Sequence, residues 1–241
     1  MLKSLRHLFA RGPALPETAA LQDWAEQRGH GFRRVRDAVG CVIDGRLGAQ
    51  AWRIEWGASQ RDYIPGFELR LMTELGLPHP LTAMVLNRAL LETMERTVYE
   101  RYVDDVQTRI DTDTPPEMRW LVMYSQLGPQ DMGRLREPYG AVSSITSWMQ
   151  QWLGGPLNDA LAATVDRVSA DTPVVLTIGR SRLTLRTAMA QPDASALATW
   201  YPVFEQALRE ARRLGQEWKD AAASGLTTQP SAWSSSELVR A

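Results

Sequence analysis

Two stretches of alternation constrain this chain more than anything else in its sequence. Between residues 47 and 56, Trp52, Ile54 and Trp56 alternate with Arg53 and Glu55; between 63 and 72, Phe67, Leu69 and Leu71 alternate with Glu68 and Arg70. A period of two sends successive side chains to opposite faces of a strand, so both runs read as antiparallel strands with one face buried and one wet. Two shorter runs, Phe32–Arg36 and Gly40–Asp44, precede them, set off by Asp44-Gly45 and other turn residues. The four together predict a meander. On its wet face Arg53, Glu55, Glu68 and Arg70 are expected to form solvated cross-strand ion pairs, each contributing about 0.2–1 kcal/mol. Such a ladder is not an acid–base pair, which needs environments that push two pKa values apart.

Helical signals flank the meander. Pro16 opens a helix through Leu21, Trp24 and Ala25, and Gly29 closes it. Thr82 reads as the cap of a helix reaching about Val106 along Leu86, Leu90, Met94, Val98 and Tyr102. Met118–Ser125 reads as a buried strand, and residues 128–144 as a long loop with a helical turn. A helix from Ile145 carries Trp148 and Trp152, and a second runs through Leu157, Leu161 and Val165. Pro173–Ile178 and Arg182–Thr187 form a hairpin, and Asp193 caps a last helix through Leu214.

Strands come in runs here, which makes the class α+β. The expected architecture is an antiparallel sheet, a four-strand meander plus a later strand and hairpin, covered by helices on one face. The order helix, sheet, helix occurs twice, as two related lobes sharing a sheet would produce. It resembles, at fold level, small helix–sheet–helix proteins that act as protein-binding chaperones, an analogy that carries no site. The expected domains are a basic amphipathic arm over 1–15, a single α+β domain over 16–220 and a flexible tail over 221–241.

Chemistry is mostly excluded. Only Lys3 and Lys219 are lysines among 27 basic residues, so a phosphate-binding loop ending in Gly-Lys-Ser/Thr is absent. The histidines His7, His30 and His79 have no partner at ligand spacing. Asp104, Asp105, Asp111, Asp113 and Glu117 form an acidic stretch, but Pro115 and Pro116 break the calcium-loop pattern. Gly29-His30-Gly31 lacks the third glycine of a dinucleotide fingerprint and precedes a strand. Neither a cofactor nor a metal is expected. The lone Cys41 cannot form an internal disulfide and reads as a small core residue, with the cytoplasm as the expected setting.

What remains points to surfaces. The near-neutral total of 27 basic and 28 acidic residues conceals seven basic against three acidic in residues 1–36, including Arg33, Arg34 and Arg36. That cluster is small and lacks the interleaved aromatics of a nucleic-acid groove, so nucleic acid is not an expected partner. Nine tryptophans stand beside the arginines, both residue types enriched at interface hot spots. Trp24, Trp52, Trp56, Trp120, Trp200 and Trp218 fall at core-like positions, leaving Trp148, Trp152 and Trp233 as candidate contacts. The leading expectation is therefore a non-catalytic protein-interaction or chaperone-like module with a protein partner or self-association. A hydrolase assembled from carboxylates near 104–117 is the second reading. A peripheral membrane contact through the amphipathic residues 1–11 is the third, since no run approaches the roughly 18 apolar residues of a membrane span.

Overall fold

The computed structural model describes residues 16–36, 38–77, 81–104 and 114–223. The basic arm over 1–15, His79, the acidic Asp105, Asp111 and Asp113, and Trp233 lie outside the described residues. Helix α1 (Pro16–Glu26) leads into strands β1 (Gly31–Arg34), β2 (Gly40–Leu47), β3 (Gln50–Ala58) and β4 (Phe67–Glu74). Then follow β5 (Ala83–Asn87), α2 (Arg88–Asp104), α3 (Pro116–Met123), β6 (Ser125–Gln126), α4 (Pro129–Met132) and β7 (Tyr139–Ser143). The order ends with α5 (Thr146–Leu153), α6 (Pro156–Ala162), β8 (Val174–Gly179), β9 (Arg182–Ala188) and α7 (Ala194–Ala223). Nine strands form one antiparallel sheet in the order β1-β2-β3-β4-β9-β8-β5-β7-β6, so the α+β class and the meander and hairpin stand as expected.

The alternation decides which face is which. Trp52, Ile54 and Trp56 of β3, Leu69 and Leu71 of β4, and Leu183 and Leu185 of β9 share one face and join the larger core. That core is closed by α1, α5, α6 and α7, through residues such as Leu21, Trp148, Leu157 and Phe204. Trp56 Nε1 donates to the Met189 carbonyl at 2.8 Å and Trp152 Nε1 to the Ala207 carbonyl at 3.0 Å, so both buried indoles are satisfied. On the opposite face, Met84, Leu86, Val142 and Val175 pack under Leu90, Leu91, Met94 and Met118 of α2 and α3. Helices thus lie on both faces of the sheet rather than on the one expected, because each face carries its own apolar cluster. In the doubled helix–sheet–helix order, α2 covers one face and α7 the other, so the echo in sequence is not repeated in the layers.

Four local expectations are corrected. Ala83–Asn87 is strand rather than helix, because it pairs with β7 on one side and β8 on the other and is buried throughout; α2 starts only at Arg88. Met118–Ser125 is mostly helix, with Pro116 at its first turn and Val122 and Met123 exposed on its outer side. Residues 139–143, expected in a loop, form the fully buried β7. Asp44-Gly45 is not a turn: Gly45 sits within β2 opposite Trp52, whose ring atom Cζ2 lies 2.2 Å from where a Cβ would stand. The turn comes instead at Gly48, which has φ 59°.

Cys41 lies in the core on β2, and burial pushes its thiol up to about 11. A thiol reagent at about pH 8 is therefore expected to leave the folded protein unlabelled and to label Cys41 once denaturant is added. Rapid labelling of the folded protein would overturn this placement.

Candidate functional sites on the two faces of the sheet

The face expected to be wet is the more consequential one. Glu55 and Arg70 are register partners on β3 and β4, and Arg70 Nη2 lies 2.8 Å from Glu55 Oε2. The expectation that Arg53, Glu55, Glu68 and Arg70 share a face is met, but the solvated ladder is corrected: Glu68 is 0% exposed and Arg70 is 7% exposed. Glu68 accepts from Arg70 Nη1 at 2.8 Å, from Arg186 Nη1 of β9 at 2.8 and 3.1 Å, and from the Gln60 backbone N–H at 3.0 Å. The segment 59–66 joining β3 to β4 supplies that last contact. A carboxylate held by two guanidinium groups and a backbone donor is fully engaged.

Between this network and α3 lies a cleft of about 700 Å³. Arg61 bridges it, with Nε 3.1 Å from both carboxylate oxygens of Glu117 on α3. Burial and the neighbouring Glu117 carboxylate hold the Tyr63 phenol well above its usual range, so it stays protonated. The buried side chains of Thr82, Thr177 and Thr184 line the cleft with Gln60, and Trp120 and Gly179 meet beside them. Five arginines line it (Arg61, Arg119, Arg180, Arg182 and Arg186) against the carboxylates of Asp62 and Glu117. Arg182 is paired with Glu74 at 2.6 Å. Among the described residues, Arg119 and Arg180 take part in no ion pair.

A second cavity, of about 650 Å³, lies on the other face, where α7 crosses the ends of β2, β3 and β4. Its walls carry Leu47, Leu75 and Leu77 on one side and Arg209, Arg212, Arg213 and Lys219 of α7 on the other, with no carboxylate in the lining. Gly215 lets α7 approach closely here, since a Cβ would stand 2.3 Å from Leu77 Cδ2. Arg213 is held by Glu210 and Glu217 at 2.9 and 2.7 Å, whereas Arg212 and Lys219 enter no ion pair among the described residues.

The residues singled out in the sequence fall elsewhere. Trp148 and Trp152 are 1% and 0% exposed, with ring centroids 5.2 Å apart inside the larger core, so neither presents a contact surface. Trp120, placed with the core tryptophans by its run, instead borders the first cleft. Arg33, Arg34 and Arg36 are exposed at the edge strand β1 and its following turn, where Arg33 lies 3.4 Å from Asp44; they line neither cavity. Of the acidic stretch, Glu117 is occupied by Arg61, while Asp105, Asp111 and Asp113 lie outside the described residues. Among the described residues no group of three His, Cys, Asp or Glu stands together as a metal set, and no helix is long and apolar enough to cross a membrane.

One signal for the second cavity was available in the sequence. Arg209, Arg212, Arg213, Gln216 and Lys219 recur at helical spacing, which marks a cationic stripe on one face of the last helix. The first cleft had no such signal, because its arginines come from the 59–66 segment, α3, the β8–β9 turn and β9.

No protein-family model matches the chain. No curated protein matches it in sequence either. Among solved structures, the crystal structure of the mycobacterial trehalose monomycolate transport factor A, TtfA, aligns with 83% of this chain and 95% of its own, with a TM-score of 0.46 and 10% identity.

Proposed function

We propose that this chain is a non-catalytic protein-interaction module, and that its α7 groove takes an acidic, leucine-bearing segment of a protein partner. One observation carries the reading: four cations and three leucines line the groove with no carboxylate in the lining, and two of the cations, Arg212 and Lys219, enter no ion pair among the described residues, whereas Arg209 and Arg213 are held by Glu205, Glu210 and Glu217. Guanidinium and ammonium groups around an apolar floor match a segment that offers both negative charge and an aliphatic side chain. Glu117 in the opposite cleft and the neighbouring buried Glu68 are each tied to arginines, which supports binding over acid–base chemistry for these two groups. A single core thiol supports a reducing setting, and we place the protein in the cytoplasm.

The test is direct binding of acidic, leucine-containing peptides to the purified protein, read by fluorescence anisotropy. Arg212→Glu with Lys219→Glu, both exposed, is expected to weaken binding by about tenfold or more without lowering Tm, and added salt is expected to weaken the parent protein's binding. Equal affinity of the parent and reversed proteins would sink the reading, as would the absence of peptide binding at low salt.

A further inference from the structure

We propose that the cleft between the sheet and α3 is a second binding site, for a small phosphate monoester with a hydroxyl-bearing body. It lies on the opposite face from the α7 groove and does not depend on it. Three of its five arginines are already neutralised, Arg61 by Glu117, Arg186 by Glu68 and Arg182 by Glu74. Arg119 and Arg180 are the remaining two, set against the exposed carboxylate of Asp62, which enters no ion pair among the described residues, so one net positive charge is left for a ligand. They stand on different elements that are tied together beside them: the Trp120 ring lies against Gly179, where a Cβ would come within 2.7 Å of it. Substituting Gly179 would therefore part the two walls.

The Arg180 wall is also fixed in place. Arg180 and Ser181 form the two-residue β8–β9 loop with φ of 51° and 64°, and the Ser181 carbonyl accepts from the Leu75 N–H at 2.7 Å. Two guanidinium forks held on fixed supports suit a dianion with several acceptor oxygens, which a phosphate monoester is at neutral pH.

The rest of the cleft sets what carries the phosphate. At about 700 Å³ it exceeds what an inorganic ion needs and falls within the range of small-molecule sites, roughly 300–1,000 Å³. Buried Thr82 and Thr184 bring hydroxyls to the lining where such sites usually offer apolar side chains, Thr177 donates its own to the Thr184 carbonyl at 3.4 Å, and Trp120 offers a flat wall. Hydroxyl-bearing bodies such as sugars or polyols satisfy that lining, whereas an apolar body does not.

Isothermal titration calorimetry on the full chain tests the site. A hexose phosphate is expected to bind at least about tenfold more tightly than inorganic phosphate, and the unphosphorylated hexose to give no heat. Arg119→Gln and Arg180→Gln should each weaken the hexose phosphate about tenfold, whereas the Arg212→Glu, Lys219→Glu protein should bind it unchanged. Thr184→Val should reduce the advantage of hexose phosphate over inorganic phosphate. Binding to phosphoinositide vesicles with the same arginine dependence would place the phosphate on a lipid headgroup; binding only in free solution would place it on a soluble metabolite. Equal affinity for hexose phosphate and inorganic phosphate overturns the proposal, as do failure of every ester to bind and arginine-dependent binding of an acidic peptide alone.

Discussion

Glu68→Ala is expected to destabilise the protein by about 3–5 kcal/mol, because it strands the largely enclosed Arg186 guanidinium and takes one of two acid partners from the buried Arg70. Arg186 would lose the acid it is paired with, and Arg70 would keep only Glu55. For a chain of this size, that loss corresponds to roughly 6–20 °C in Tm, measurable by calorimetry or circular dichroism. A surface pair would cost about 1 kcal/mol or less, so a small shift would restore the solvated-ladder picture. Coupling can be read separately. With Arg186→Met added to Glu68→Met, the double variant is expected to recover much of the stability lost by Glu68→Met alone, since replacing a buried pair by apolar residues removes the stranded charge.

Trp152→Ala is the second large effect, at about 3–5 kcal/mol, from the void left by the largest side chain and the loss of its bond to Ala207. Trp152→Phe separates the two contributions. It keeps most of the ring volume but removes the indole's bond to the Ala207 carbonyl, which remains bonded within α7, and should cost about 1–2 kcal/mol. These variants also decide between two roles for the residue. A contact tryptophan would lower partner affinity at unchanged Tm, and that result would contradict the core placement.

The sequence carried the sheet further than the site. Alternation in β3, β4 and the β8–β9 hairpin identified the strands and their faces, because period two survives whatever packs above it. It failed at Ala83–Asn87, where burial on both faces erases alternation and a helix-like spacing of leucines runs on into α2. It failed again at Met118–Ser125, where eight residues are too few to tell an apolar strand from one side of a short helix. That misreading hid Trp120 and Arg119 from the candidate list. Glu68 shows the same limit for electrostatics: its neighbours on β3 and β4 were legible, but Arg186 and the Gln60 N–H that enclose it come from distant or irregular segments.

The seam between β4 and β9 bears on how the chain assembles. The ion pair of Glu74 with Arg182 spans 108 residues, so the partner of β4 is synthesised long after β4 itself. At translation rates of about 5–20 residues per second, the meander waits roughly 5–20 s with one side of β4 unpaired. During that interval the ladder of Leu69 and Leu71 is an open template for other chains, and the arrival of β9 is the step that both completes the sheet and closes the aggregation-prone edge.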